Sequence, residues 1–299
     1  MRIFSDKVNV PHAYQFNENE NPLAFDPIEF AISQDGSKWL SYYDDVNLTG
    51  VYLYDWDVQI ATSSDNYTKY GIQDGQTLTS TSYDQRDMKL SFVAYGMDHN
   101  DSELAFDELQ RFLFSREPFW ICFNCFPIRK YYVKAKSCSP TYTGDRYATI
   151  DVTLTDIKGL SCTILGSYWL VRDDTLPIGD NLPDPLPQYD WNTSNFIVKN
   201  LGDVAIDPER RGQPMTLTLK GYTTGDMTIR NNTNGDSITR HGSWSGTWSL
   251  CDVVPWLNGS LDGINTDHGM IVLQKGDNEI SISNFHGSVT LDFPFWYLA

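Results

Sequence analysis

Ile280-Ser-Ile-Ser-Asn-Phe-His-Gly-Ser-Val-Thr-Leu-Asp-Phe-Pro-Phe-Trp-Tyr-Leu-Ala299 contains two short runs in which every second residue is apolar, Ile280/Ile282 and Val289/Leu291/Phe293. Polar residues fill the alternate positions, and Asn284 and Gly287 stand between the runs. Period-two alternation broken by turn residues is the mark of half-buried antiparallel strands. The same pattern recurs upstream, at Met215/Leu217/Leu219, Met227/Ile229 and Trp248/Leu250. Residues 192–299 therefore read as a complete antiparallel β-sandwich.

Toward the N-terminus the alternation continues. Tyr52, Tyr54, Trp56, Val58 and Ile60 alternate with Leu53, Asp55, Asp57 and Gln59, which predicts one apolar and one mainly polar strand face. Met88/Leu90/Phe92, Tyr131/Val133/Ala135 and Ala148/Ile150/Val152/Leu154 repeat it, and a last strand is expected at Leu160/Cys162/Ile164. One segment departs from period two. Residues 103–115 place Ala105, Leu109, Phe112 and Leu113 on one side of a helix. Asn100, Asp101 and Ser102 are suitable caps, acids cluster in the first turns, and Pro118 blocks continuation. Leu176–Gln188 holds four prolines and cannot be a central strand. The sequence thus predicts a mainly β protein in three parts: an N-terminal domain over 1–165 with one helix, a Pro-rich linker over 166–191, and the sandwich over 192–299.

Composition narrows the function. Of 299 residues, 22 are basic and 39 acidic, and no basic cluster offers a grip on phosphate, so neither nucleic acid nor an anionic membrane is an expected partner. No apolar run approaches a membrane span or a signal peptide, which predicts a soluble chain made in a cytosol. Five cysteines at irregular spacing argue against a disulfide framework. Cys122 and Cys125 have a C-x-x-C spacing, but within a buried strand they would point to opposite faces and could not share a metal. The five histidines lack paired ligand spacing, and neither a nucleophile elbow nor a phosphate-binding glycine loop occurs. No catalytic residue, metal site or cofactor is predicted.

Aromatic residues make up 14% of the chain, which raises sugar stacking as a second reading. Trp244 and Trp248 share a strand face with Leu250 and read as core. Trp256, after Pro255 in a predicted loop, is the candidate glycan contact if the C-terminal sandwich binds a polysaccharide.

Asn200-Leu-Gly-Asp-Val-Ala-Ile-Asp-Pro208, Gly225-Asp-Met-Thr-Ile-Arg-Asn231, Asn234-Gly-Asp236, Leu257-Asn-Gly259 and Phe293-Pro-Phe-Trp-Tyr-Leu298 occur in an order that resembles the distal tail protein (Dit) family of siphophages infecting Gram-positive bacteria. In the N-terminal half, Asp74-Gly-Gln-Thr-Leu78, the helix and Pro127-Ile-Arg-Lys-Tyr-Tyr-Val133 are similar to the family's ring-forming domain. The first fifty residues match least. The resemblance implies a galectin-like C-terminal sandwich and a homohexameric ring in the virion, at the distal end of the tail, assembled in the host cytoplasm. Such a ring joins the tail tube protein to a tail-tip or tail-associated lysin-type protein, and carries or contacts receptor-binding proteins. For the ring contact, Tyr52, Tyr54, Trp56 and Val58 are the candidate residues, on an extended hairpin that grips the next subunit.

Overall fold

A computed structural model describes residues 2–6, 25–72, 74–144, 146–172 and 182–299. They fall into two compact units, 1–161 with 298–299, and 162–297.

The first unit is built on β1 (Phe30–Ser33), β2 (Leu40–Ser41), β3 (Val51–Val58), β4 (Ser63–Thr68), β5 (Thr77–Tyr83), β6 (Arg86–Tyr95), β7 (Phe119–Phe123), β8 (Arg129–Tyr142) and β9 (Tyr147–Asp156), with α1 (His99–Leu113) between β6 and β7. Seven of these strands form one antiparallel sheet in the order β2-β1-β7-β8-β9-β6-β3. Met88, Leu90, Phe92, Ile150, Val152 and Leu154 are buried in it as the alternation requires. From β1, Phe30 stacks on Tyr42 at 4.4 Å, so part of the weakly matching N-terminal stretch belongs to the core.

Helix α1 starts four residues before the predicted start. Asp98 is its cap, with Oδ1 accepting from the Asp101 amide at 3.0 Å. Leu109 and Leu113 are wholly buried, while Ala105 and Phe112 pack at the margin.

Two strand readings need correction. In β3 the register with β6 slips between Leu53 and Asp55, leaving Tyr54 as the extra residue of a bulge. Val51 and Leu53 face the core before it, and Trp56 and Val58 turn inward after it. Tyr52 and Tyr54 therefore do not share a face with Trp56. Strand β7 ends at Phe123, so Cys122 is buried in the strand and Cys125 is exposed in the following turn.

The second unit opens with β10 (Ser161–Thr163), α2 (Ser167–Leu170), β11 (Asp190–Trp191), β12 (Asn195–Asn200) and α3 (Pro208–Arg211). It continues with β13 (Thr216–Thr223), β14 (Met227–Asn231), β15 (Ser237–Arg240), β16 (Trp244–Cys251), β17 (Val254–Leu257), β18 (Ser260–Leu261), β19 (Gly276–Ser283), β20 (His286–Asp292) and β21 (Trp296–Tyr297). Two antiparallel sheets, β11-β20-β13-β16-β17-β18 and β12-β19-β14-β15, make the sandwich. Their buried faces meet where Trp191 stacks on Phe196 at 4.3 Å. The core uses the predicted residues, including Leu217, Leu219, Ile229, Trp248, Leu250, Ile282, Val289 and Leu291.

The unit boundary lies earlier than the expected linker. Within residues 166–191, Ser167 donates to the Phe293 carbonyl at 2.8 Å and the Tyr168 amide to Asp292 at 3.0 Å. Tyr189 is buried against Phe293. Asp292 carries a raised pKa because burial outweighs the amides that bond it. These residues pack on the second unit. Residues 173–181 of the Pro-rich stretch lie outside the described residues, as does His12.

Candidate interaction site

The most unusual element is the ribbon that β3–β4 and β5–β6 form together. Its lower half belongs to the sheet, and backbone bonds carry the pairing outward: Gln59 N to Asp87 O at 3.0 Å, then Asp84 N to Thr62 O at 3.0 Å. Beyond that point β4 and β5 pair only with each other. Thr and Tyr give these strands β-propensity, but Ser, Asn and Asp leave them no apolar side, and every residue of β5 is exposed. The arm is held together by surface bonds. Asp65 accepts from Thr81 and, at 3.2 Å, from Tyr67, and Asn66 donates to Ser80 at 2.9 Å. The Thr81 bond is the main reason the Asp65 carboxyl lies below its usual range. Toward the tip Tyr67, Tyr70, Ile72 and Leu78 are exposed, Ile72 completely.

At the base of the arm sits Arg86, only 3% exposed. Its Nε donates to Asp156 at 3.0 Å, and Nη1 donates to the carbonyls of Gln59 at 3.2 Å and Leu298 at 2.6 Å. The guanidinium thus fixes where the ribbon leaves the sheet. Burial pushes the Asp156 carboxyl up to about 6, opposed in part by Arg86. Asp87, beside it on β6, is held below its usual range mainly by Lys136 at 2.6 Å.

Between the arm base and the β7–β8 turn lies a cavity of about 700 Å³. Trp56, Val58, Ile60, Tyr83, Phe126 and Tyr131 give it apolar walls, while Asp57, Arg86 and Arg129 also line it. Trp56 is anchored by stacking on Phe123 at 4.2 Å. Of the four predicted contact residues, Trp56 and Val58 thus line the cavity and Tyr54 is exposed beside the bulge. Tyr52 is fully buried in its own subunit and offers no surface. Sequence reading missed Arg86, Phe126 and Arg129, because only the fold brings the β7–β8 turn beside the arm.

Elsewhere the predicted sites disperse. Trp256 lies in β17, not a loop, in register with Ser249 and Leu261, and is half-buried. His241 pairs with Asp226 at 3.1 Å, and His286 packs beside Tyr222 with ring centres 5.2 Å apart. Among the described residues, no group of three or more His, Cys, Asp or Glu is placed to hold a metal ion, and no helix is long and apolar enough to cross a membrane.

Residues 51–155, from the start of β3 almost to the end of β9, match the phage tail protein RIFT-related domain family. The chain also superposes on the Dit protein of phage SPP1, a paradigm of the hub adsorption apparatus in phages infecting Gram-positive bacteria. That match has a TM-score of 0.59 at 13% identity, over 89% of this chain and 98% of that one. The chain shares the Dit fold. Chains of the phage P2 baseplate in its activated conformation align at TM-scores of 0.39 with Ca and 0.40 with Sr, each at 10% identity. They cover 90% and 89% of this chain and 98% and 97% of those chains. No curated protein matches the chain. The arm lies within the matched residues, and so does most of the lining of its base cavity, apart from Leu298 and Ala299.

Proposed function

We propose that this Dit-fold chain forms a homohexameric ring at the distal end of a siphophage tail, a structural hub without turnover. The ring joins the tail tube to tip proteins and gives receptor-binding proteins a place to attach. The N-terminal domain supplies the ring contacts.

The observation that carries this reading is the arm. An isolated two-stranded ribbon is at best marginally stable in water, and its two open edges invite pairing. A chain that extends such a ribbon with Tyr67, Tyr70, Ile72 and Leu78 exposed has built a surface for another molecule. Arm and sheet are different surfaces, so their contact between copies is heterologous and closes into a ring at a suitable rotation. The net charge of −17 on each copy suppresses non-specific association.

Light scattering and negative-stain imaging of the full chain test the proposal. The expected particle has six-fold symmetry and six times the 34.1 kDa subunit mass. A uniform monomer at micromolar concentration would overturn it. Because β3 is core, the informative truncation is confined to the arm: a short turn joining Thr62 to Asp84 leaves the sheet intact and is expected to give monomers.

A further inference from the structure

The ring proposal leaves open what covers the apolar tip, and the inference drawn here rests on that proposal. We infer that the cavity at the base of one arm receives the tip of the arm from the next copy of the chain, with Tyr70 and Ile72 entering among Trp56, Phe126 and Tyr131.

Reach decides that the occupant is another copy. Ser63 of β4 and Tyr83 of β5 line the cavity, so the arm grows out of the cavity wall. The six residues of β4 then carry the chain away from that wall at about 3.4 Å per residue, leaving the tip roughly 20 Å off. The tip cannot return to its own cavity without breaking the β4–β5 pairing.

Chemistry matches the two surfaces. A cavity of about 700 Å³ lies in the range that accommodates a small cluster of side chains rather than a whole strand, and Trp56, Tyr83, Phe126 and Tyr131 give it aromatic walls. The tip presents such a cluster, since Tyr70 and Ile72 follow one another around the turn and neither is covered in its own subunit. The charges complement as well: the tip carries Lys69 and Asp74, and the cavity carries Asp57 and Arg129. Seating the tip would bury these apolar groups and place a cation near Asp57 and an anion near Arg129. It also accounts for Trp56, which is packed against Phe123 on one side and faces the cavity on the other.

Two full-length variants test this. With Tyr70 replaced by the photo-crosslinker p-benzoylphenylalanine, irradiation is expected to join separate copies, with adducts on peptides containing residues 56–61 or 126–131. Ile72→Glu alters a side chain with no contact in its own subunit, so folding by circular dichroism is expected to be unchanged while association weakens at least tenfold. A six-fold ring with adducts on another surface, or an Ile72→Glu protein that assembles like the parent, would overturn the tip-in-cavity contact and leave the ring standing. A parent chain that stays monomeric with no adduct would overturn both.

Discussion

Replacing Asp262 by Asn tests how the sandwich is held. Arg240 on β15 and Asp262 after β18 come from opposite sheets, and both side chains are nearly buried. Asp262 accepts from Arg240 Nε at 3.0 Å, Trp248 Nε1 at 3.1 Å and Asn265 Nδ2 at 2.7 Å. Arg240 Nη1 donates to the carbonyls of His241, Gly242 and Ser243 at 2.8, 2.7 and 3.2 Å. Burial alone would raise the Asp262 pKa, but the donors win and the carboxyl sits below its usual range. Breaking a buried ion pair from one side costs roughly 3–5 kcal/mol, because the partner is left charged in a dry site. Here three carbonyls still serve Arg240, and the Asn oxygen can accept one of the former bonds, so the expected loss for Asp262→Asn is about 2–4 kcal/mol.

Urea denaturation followed by tryptophan emission is the assay, since Trp244 and Trp248 are buried in this unit. With a slope of about 1–3 kcal/mol per molar urea, the midpoint of the sandwich transition drops by roughly 1–2 M. Arg240→Met together with Asp262→Leu is expected to cost less than the sum of the single changes, because no lone charge remains. A loss below about 1 kcal/mol for Asp262→Asn would refute the reasoning, since it would mean the carboxylate is not what satisfies Arg240.

The remaining predictions concern pH dependence and the N-terminal helix. Asp156 titrates near 6 in the fold against about 3.9 unfolded, so its ionised form is penalised above pH 6 and the penalty fades as pH falls toward 4. Segment-resolved hydrogen exchange, corrected for intrinsic rates, is expected to show the Arg86–Asp156 region about 1 kcal/mol more stable at pH 5 than at pH 7. The Asp262 contribution has the opposite sign: its depressed pKa makes it fully present above about pH 4 and lost only as pH falls further. Asp98→Ala is expected to destabilise the unit by about 1 kcal/mol in denaturant, while Asn100→Ala, inside the first helical turn, costs less than half of that.

What the sequence made legible follows from which elements bury one face. Ile280/Ile282, Val289/Leu291 and Met88/Leu90/Phe92 each sit with one side in a core, so alternation marked both strand and burial. Tyr52 and Trp56 also alternate, yet the bulge at Tyr54 separates them, because register depends on the partner strand β6 and leaves no local sign. The cap failed for a related reason: Asp98, Asn100, Asp101 and Ser102 are all capping types, and only the chain's exit from β6 selects Asp98. The prolines marked only part of the segment expected as linker: residues 167 and 168, ahead of them, form a short helix bonded to the Phe293 carbonyl and Asp292, which no local pattern announces. The cavity was the least legible feature, since Trp56, Arg86 and Phe126 share no periodicity and meet only through the sheet order.

The polarity of the arm then has a physical explanation. If β4 and β5 carried an apolar face, every newly made copy would present a sticky ribbon with two open edges, and copies would pair out of register before any ring closed. Ser, Thr and Asn along the strands let water satisfy the edges, and acids along a chain of net charge −17 oppose chance encounters. At the turn Ile72 is completely exposed with Tyr70 exposed beside it, an apolar pair that a concave site of matching shape can engage. Arg86, tied to Asp156 and to the Gln59 carbonyl, fixes the direction in which the arm leaves the sheet. A stiff base with a sticky tip and a soluble shaft between them favours one heterologous contact over many weak ones, which is what a closed ring of identical subunits requires.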